Sequence, residues 1–289
     1  MKGRITVRHG TLARSLLYTP ATRSDRFEKA VGCGADIVAV DLEDAVAPGD
    51  KPVARRNASA WLAAPYGGRA ARAVRINGTR TMDGLRDILA IVDAQAQPDF
   101  ILVPKVEAAA DLEQLDALLQ GPLAGVRFIA LIESATALAR LDEIARSTAR
   151  LAALQLGSAD LAADLRAANC WETLLHARSL MVRAAAAAAI EVLDAPCFDL
   201  ASAGALDEEI RGALRLGFTG KSAVHPKQIA PINDAFSPTE KEVEHAKAVL
   251  GENEKGVGLV AGQMIDEAVA RRARRVLAVA RAVAEGAPA

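Results

Sequence analysis

The chain has 289 residues, a formal net charge of -1, 51% hydrophobic residues and 3% aromatic residues. That length suffices for one large core or a core plus an appendage, the near-neutral charge gives no reason to invoke nucleic acid or an anionic membrane surface, and no apolar run reaches the roughly 20 residues that span a bilayer. Three unpatterned cysteines (Cys33, Cys170, Cys197) fit a reducing compartment and no zinc site; residues 1–12 lack the apolar core of a signal peptide, so a soluble cytoplasmic protein is expected.

Strand and helix patterns alternate from the start. The first strand is 15–20 (SLLYTP), followed by a helical pattern over 24–34 with Ser24 as N-cap. The second strand, 36–44 (DIVAVDLED), ends in acids, and a helix over 51–64 follows. Then come strand 72–77 (RAVRIN), helix 82–95, strand 100–105 (FILVPK) and helix 111–119. The run 128–132 (FIALI) ends on Glu133 and leads to a helix over 137–146. The run 151–156 ends in Gly157-Ser158-Ala159-Asp160, and the next helix is 171–189. Strand 191–195, helix 206–216 and strand 220–224, stopped by His225-Pro226, complete the series.

Short apolar runs of this kind read as strands buried on both faces. Eight strand-helix units match a (β/α)8 barrel in size. A doubly wound sheet alternates in the same way, but it announces a nucleotide site with G-x-G-x-x-G after its first strand; here Thr19-Pro20-Ala21-Thr22-Arg23 follows instead. The expected architecture is a barrel over 1–236 and a helical extension over 237–289, with helices at 240–250 and 264–284 joined by a hinge containing Gly251, Gly256 and Gly258. That extension shows no strand of its own, and two helices alone bury little, so it should pack on the barrel or on a neighbouring subunit.

All strands of a parallel barrel end at one rim, where active sites sit. The expected rim carries Arg23, Asp41, Glu43, Asp44, Arg75, Asn77, Lys105, Glu107, Glu133, Asp160 and His225. Glu133 and Asp160, from adjacent strands, would repel unless a proton or a divalent ion lies between them; the alternative is that each pairs with an arginine or caps a helix. Oxygen donors without Cys or His suit Mg²⁺ or Mn²⁺ rather than zinc. Arg75 suits a substrate carboxylate or a developing oxyanion, or else an ion pair with the neighbouring acids, and Asp41 or Glu43 could orient it. Lys105 raises Schiff-base chemistry. His225 has a structural hydrogen bond as its default role and general-base work as the alternative.

Seven segments in register, 15–27 (SLLYTPATRSDRF), 35–52 (ADIVAVDLEDAVAPGDKP), 74–77 (VRIN), 102–107 (LVPKVE), 131–136 (LIESAT), 157–161 (GSADL) and 223–229 (AVHPKQI), resemble the HpcH/HpaI aldolase and citrate lyase family, over nearly the whole chain. The resemblance implies a metal-dependent (β/α)8 barrel acting on acyl-CoA thioesters, with Mg²⁺ on Glu133 and Asp160, Arg75 on the substrate oxygens, and Arg23 and Lys29 on the CoA phosphates. Gly262-Gln263-Met264-Ile265-Asp266 is similar to the lid motif of malyl-CoA and citramalyl-CoA lyases. In those enzymes the lid covers a neighbouring subunit of a trimer and presents an aspartate, so the likeness implies a homo-oligomer and makes Asp266 a proton carrier. The catalytic candidates are thus Arg75, Asp266 and Glu43. The segment 171–198 looks most like citramalyl-CoA lyases, which implies cleavage to acetyl-CoA and pyruvate. The alternatives are malyl-CoA lyase or malate synthase-like activity, citrate lyase beta-subunit activity, a CoA-independent metal aldolase, and a non-catalytic assembly subunit.

Overall fold

The computed structural model describes residues 13–202, 204–253, 258–260 and 263–286. The elements run β1 (Ser15–Pro20), α1 (Phe27–Val31), β2 (Ile37–Asp41), α2 (Lys51–Ala63), β3 (Ala71–Arg75), α3 (Met82–Asp93), β4 (Phe100–Val103) and α4 (Ala109–Leu118). They continue with β5 (Arg127–Ile132), α5 (Ala135–Ala139), α6 (Leu141–Ile144), β6 (Leu151–Leu156), α7 (Ser158–Asp164), α8 (Trp171–Ala188), β7 (Glu191–Asp194), α9 (Ala205–Leu216) and β8 (Gly220–Ala223). Last come α10 (Ile229–Phe236), α11 (Glu240–Asn253), β9 (Gly258–Val260), β10 (Gln263–Ile265) and α12 (Glu267–Gly286). The strands β1 to β8 are parallel and close in sequence order into a barrel. Among the described residues, no helix is long and apolar enough to cross a membrane.

The barrel interior follows from the period-2 alternation of strands. Leu16, Ile37, Ala39, Ala73, Phe100, Leu102, Ile129, Leu131, Ala153 and Leu193 form one buried cluster. Two residues further along the same faces the row turns polar: Tyr18 follows Leu16, Asp41 follows Ala39, Arg75 follows Ala73, Glu133 follows Leu131 and Gln155 follows Ala153. The outward-facing residues of β7 and β8 carry a buried ion cluster instead. Lys221 Nζ donates to Asp194 Oδ2 at 2.7 Å, to Glu209 Oε2 at 2.7 Å and to the Ala195 carbonyl at 2.6 Å, while Arg178 Nε donates to Asp194 Oδ1 at 2.9 Å. With Gln228 Nε2 donating to the Cys197 carbonyl at 2.8 Å, this cluster anchors the loop after β7.

The barrel agrees with expectation, and four local readings are corrected. First, the second strand ends at Asp41, not at 44. The Asp41 carboxylate accepts the Glu43 N–H at 2.9 Å and the Ala45 N–H at 3.1 Å, turning the chain off the sheet. Second, Asp160 is not at a strand end but in the first turn of α7, a helix missed between Gly157 and Trp171. Third, the helix expected over 137–146 is two short pieces, because Ser134 Oγ caps α5 by accepting the Ala137 N–H at 3.1 Å and the helix breaks at Arg140. Fourth, residue 264 lies in a strand rather than a helix, since β9 and β10 pair as an antiparallel hairpin before α12.

The chain divides into two compact units, Ala13–Asn233 and a second from Asp234 onward. Within the second unit, α11, α12 and the hairpin build a small core from Ala246, Val249, Ile265 and Ala273. The hairpin corrects the expectation of a strandless extension. The Gly256 part of the expected hinge and Gly262 of the lid motif lie outside the described residues.

Candidate active site

The polar end of the barrel opens into a cavity of about 440 Å³. It is lined by Arg75, Asp41, Asp44, Glu133 and Asp160 and by the apolar residues Leu131, Leu156, Pro196, Phe198 and Val224. Gln155 and Tyr18 also line this cavity. A second cavity of about 470 Å³ shares Tyr18, Pro20 and Val224 with the first and is lined by Arg23, Arg26 and Lys29. The two basic residues singled out from the sequence thus adjoin the acidic cavity, Arg23 with its guanidinium paired to Asp25 at 2.7 Å and 2.9 Å.

Arg75 ends β3 and is held by a fork. Its Nε donates to Asp41 Oδ1 at 2.7 Å and its Nη2 to Asp41 Oδ2 at 2.6 Å. The guanidinium stacks 5.0 Å over the Tyr18 ring. Burial opposes its charge, but the Asp41 hydrogen bonds and charge outweigh it and keep Arg75 fully protonated. Of the two expected orienting acids, Asp41 is therefore the one that fixes Arg75. Glu43 lies between cations: Lys105 Nζ donates to its Oε1 at 2.5 Å, and Arg75 Nη1 approaches its Oε2 at 2.8 Å. The second approach is too bent for a hydrogen bond, so this buried oxygen has no donor. Burial lifts the Glu43 carboxyl to about 7, against the pull of Arg75 and Lys105.

A carboxyl whose folded value lies above its ordinary 4.5 favours the native state most when neutral. Its contribution is full below its unfolded value and is lost as pH rises through about 7. Glu43→Gln should therefore gain thermal stability relative to the native chain between about pH 5 and about pH 8. A melting-temperature difference that does not change with pH would contradict the assignment.

Glu133 follows β5 and is 5% exposed. Its Oε1 accepts the Lys105 N–H at 2.6 Å. Lys105 makes this bond from a left-handed backbone (φ 53°), a conformation costly for a non-glycine residue and concentrated at functional sites. Gly157 gives the other oxygen its room, since a Cβ there would come within 2.5 Å of Glu133 Oε2. Burial raises the Glu133 carboxyl, and the Asp160 charge pushes the same way. Two mutually repelling carboxylates open to a cavity could hold a hard cation that takes further oxygens from water or ligand. No group of three or more His, Cys, Asp or Glu that could hold a metal ion occurs among the described residues.

A model of the HpcH/HpaI aldolase/citrate lyase family matches residues 14–226. The chain belongs to this family. It is 32% identical over 296 residues to the L-malyl-CoA/beta-methylmalyl-CoA lyase of Cereibacter sphaeroides, with 91% of this chain and 93% of that protein covered. It is 35% identical to the (3S)-malyl-CoA thioesterase of the same organism, covering 94% and 95%. The protein CitE of Mycobacterium tuberculosis, solved with magnesium, acetoacetate and coenzyme A, superposes with a TM-score of 0.78 at 31% identity, covering 94% of this chain and 99% of that one. As a family member the chain is an enzyme of the carbon–carbon lyase class.

Lys105 is unsuited to a Schiff base: burial opposes its charge, but Glu43 outweighs burial and holds the amine protonated. His225 caps a short turn, its Nδ1 accepting the Lys227 N–H at 3.1 Å, in line with the structural default. Asp266 caps α12 within the second unit, where its Oδ1 accepts the Val269 N–H at 2.9 Å and its side chain is exposed. The sequence reading missed Tyr18 and Gln155. Their signal was strand parity: each stands two residues beyond an inward-facing apolar residue, Leu16 and Ala153.

Proposed function

We propose that this enzyme cleaves a 3-hydroxyacyl-CoA thioester into acetyl-CoA and a 2-oxo acid in a metal-dependent reaction, with citramalyl-CoA, which yields pyruvate, as substrate. The carrying observation is the pair of adjoining cavities, one ringed by Glu133, Asp160 and Arg75, the other by Arg23, Arg26 and Lys29. The acidic cavity would hold the acyl group and the basic one the CoA phosphates. That CitE was solved with magnesium, acetoacetate and coenzyme A supports a reading with a metal, a small acid and CoA.

Glu133 and Asp160 would hold Mg²⁺ or Mn²⁺, which supplies Lewis acidity and a template for the substrate hydroxyl and carboxylate. Arg75, fixed by Asp41, stabilises the charge that develops on the oxygens of the departing 2-oxo acid. Asp266 is assigned as the proton carrier at the methyl carbon of the acetyl product, delivered by the C-terminal unit of a homo-oligomer, a trimer by likeness to the lid-bearing relatives. The apolar lining residues Leu131, Leu156, Pro196, Phe198 and Val224 offer a place for the methyl group that distinguishes citramalyl from malyl. One methyl is worth about 1–3 kcal/mol. The three free cysteines accord with a cytoplasmic setting.

A panel of malyl-, citramalyl- and citryl-CoA with Mg²⁺ tests the reading: acetyl-CoA should form fastest from citramalyl-CoA, and cleavage of free citramalate but none of the thioesters would refute it. Thioester hydrolysis is the second reading, favoured by the likeness to the malyl-CoA thioesterase.

A further inference from the structure

One polar pair that lines the acidic cavity has no part in the chemistry described so far. Gln155 is 2% exposed and lines the cavity beside Tyr18. Its Nε2 donates to the Tyr18 hydroxyl at 2.7 Å. Its carbonyl Oε1 is buried with no partner. Burial, only partly offset by the Arg75 charge, keeps Tyr18 protonated, so the phenol retains a proton of its own to donate.

A buried carbonyl without a donor works against folding, and an apolar residue of similar size would cost less. Such a group, on a residue that lines a cavity, points to a ligand. The terminal amide torsion is broad and two-fold, so the amide can turn over. Tyr18 O–H would then donate to Oε1, and Nε2 would take the place of the unpartnered oxygen. Every atom of the pair is satisfied once an acceptor sits there.

The acceptor has a defined chemistry. Asp41, Asp44, Glu133 and Asp160 are the acids that line the cavity, while Arg75 has given Nε and Nη2 to Asp41. An anionic group entering this cavity depends on donors not already engaged. We infer that Gln155, held by Tyr18, donates a hydrogen bond to the carboxylate of the acid half of the substrate and so selects acyl chains that end in a carboxylate. This rests on the lyase reading and assigns that reaction a specificity-determining residue.

The test uses the full-length enzyme with Mg²⁺ and measures three things: pyruvate binding by ligand-observed NMR, CoA binding by calorimetry, and melting temperature. Gln155→Leu should weaken pyruvate binding about 10- to 100-fold, as expected for a lost hydrogen bond to a charged group. It should leave CoA binding unchanged and the melting temperature equal or higher. Gln155→Glu, which places a fixed acceptor against the ligand carboxylate, should bind pyruvate more weakly still. Tyr18→Phe keeps the ring under Arg75 but frees the amide, and should lose part of the affinity. Unchanged pyruvate binding in Gln155→Leu, or native-like binding in Gln155→Glu, overturns the assignment while the lyase reading stands. A native enzyme that neither cleaves the thioesters nor binds pyruvate overturns both.

Discussion

Glu133→Gln should lower turnover by a factor of ~10³ or more, because it removes half of the charge proposed to hold the metal and with it several kcal/mol of transition-state stabilisation. Gln is the informative substitution. Its amide oxygen still accepts the Lys105 N–H that Glu133 now holds at 2.6 Å, so the left-handed turn at Lys105 keeps its bond. Alanine would strand that amide at a cost of about 1–3 kcal/mol and confuse lost stability with lost chemistry. Asp160→Asn should show the same loss of turnover with a smaller structural effect, since Asp160 is exposed in the first turn of α7. Steady-state rates across a Mg²⁺ titration check both variants, with melting temperature as the fold control. A native rate in either variant would remove the pair from the mechanism.

Arg75→Lys should reduce kcat by a factor of ~10²–10³, the range for losing one preorganised charge-stabilising donor group. Lysine keeps the charge but not the fork. Asp41 now accepts two parallel bonds at 2.7 and 2.6 Å, and an ammonium cannot replace both while also stacking flat on Tyr18. Because Arg75 is proposed to act on charge that develops during bond cleavage, the loss should fall on kcat more than on KM. Arg75→Ala is a poorer test, since it leaves Asp41, 1% exposed, as a buried unpaired charge, a change that costs about 3–5 kcal/mol. A fall confined to KM would make Arg75 a ground-state binding group only.

The barrel was legible because its strands are short apolar runs covered on both faces, as at Ile37–Asp41, where every residue is buried. The helix around Asp160 was not legible. It is only seven residues long, begins directly after Gly157, and has no capping side chain to announce it. The hairpin before α12 escaped because two three-residue strands are too short for period-2 alternation to stand out from a helical pattern. At the rim, residue types and chain order located Arg75, Glu133 and Asp160 in one cavity. They could not reveal that Asp41 rather than Glu43 carries the fork, or that a lysine amide in a left-handed turn holds Glu133. Those depend on side-chain direction and backbone angle, which spacing along the chain does not encode. The roles of Arg23, Lys29 and Asp266 came from family likeness alone.

The most direct test is to identify both products formed from citramalyl-CoA by the purified enzyme with Mg²⁺, by mass spectrometry. A carbon–carbon lyase of the proposed kind yields acetyl-CoA and pyruvate in equal amounts, and chelation of the metal stops both. Free CoA and citramalate instead would mean that water attacks the thioester while the carbon–carbon bond stays intact, and the proposed chemistry of Glu133, Asp160 and Arg75 would be wrong.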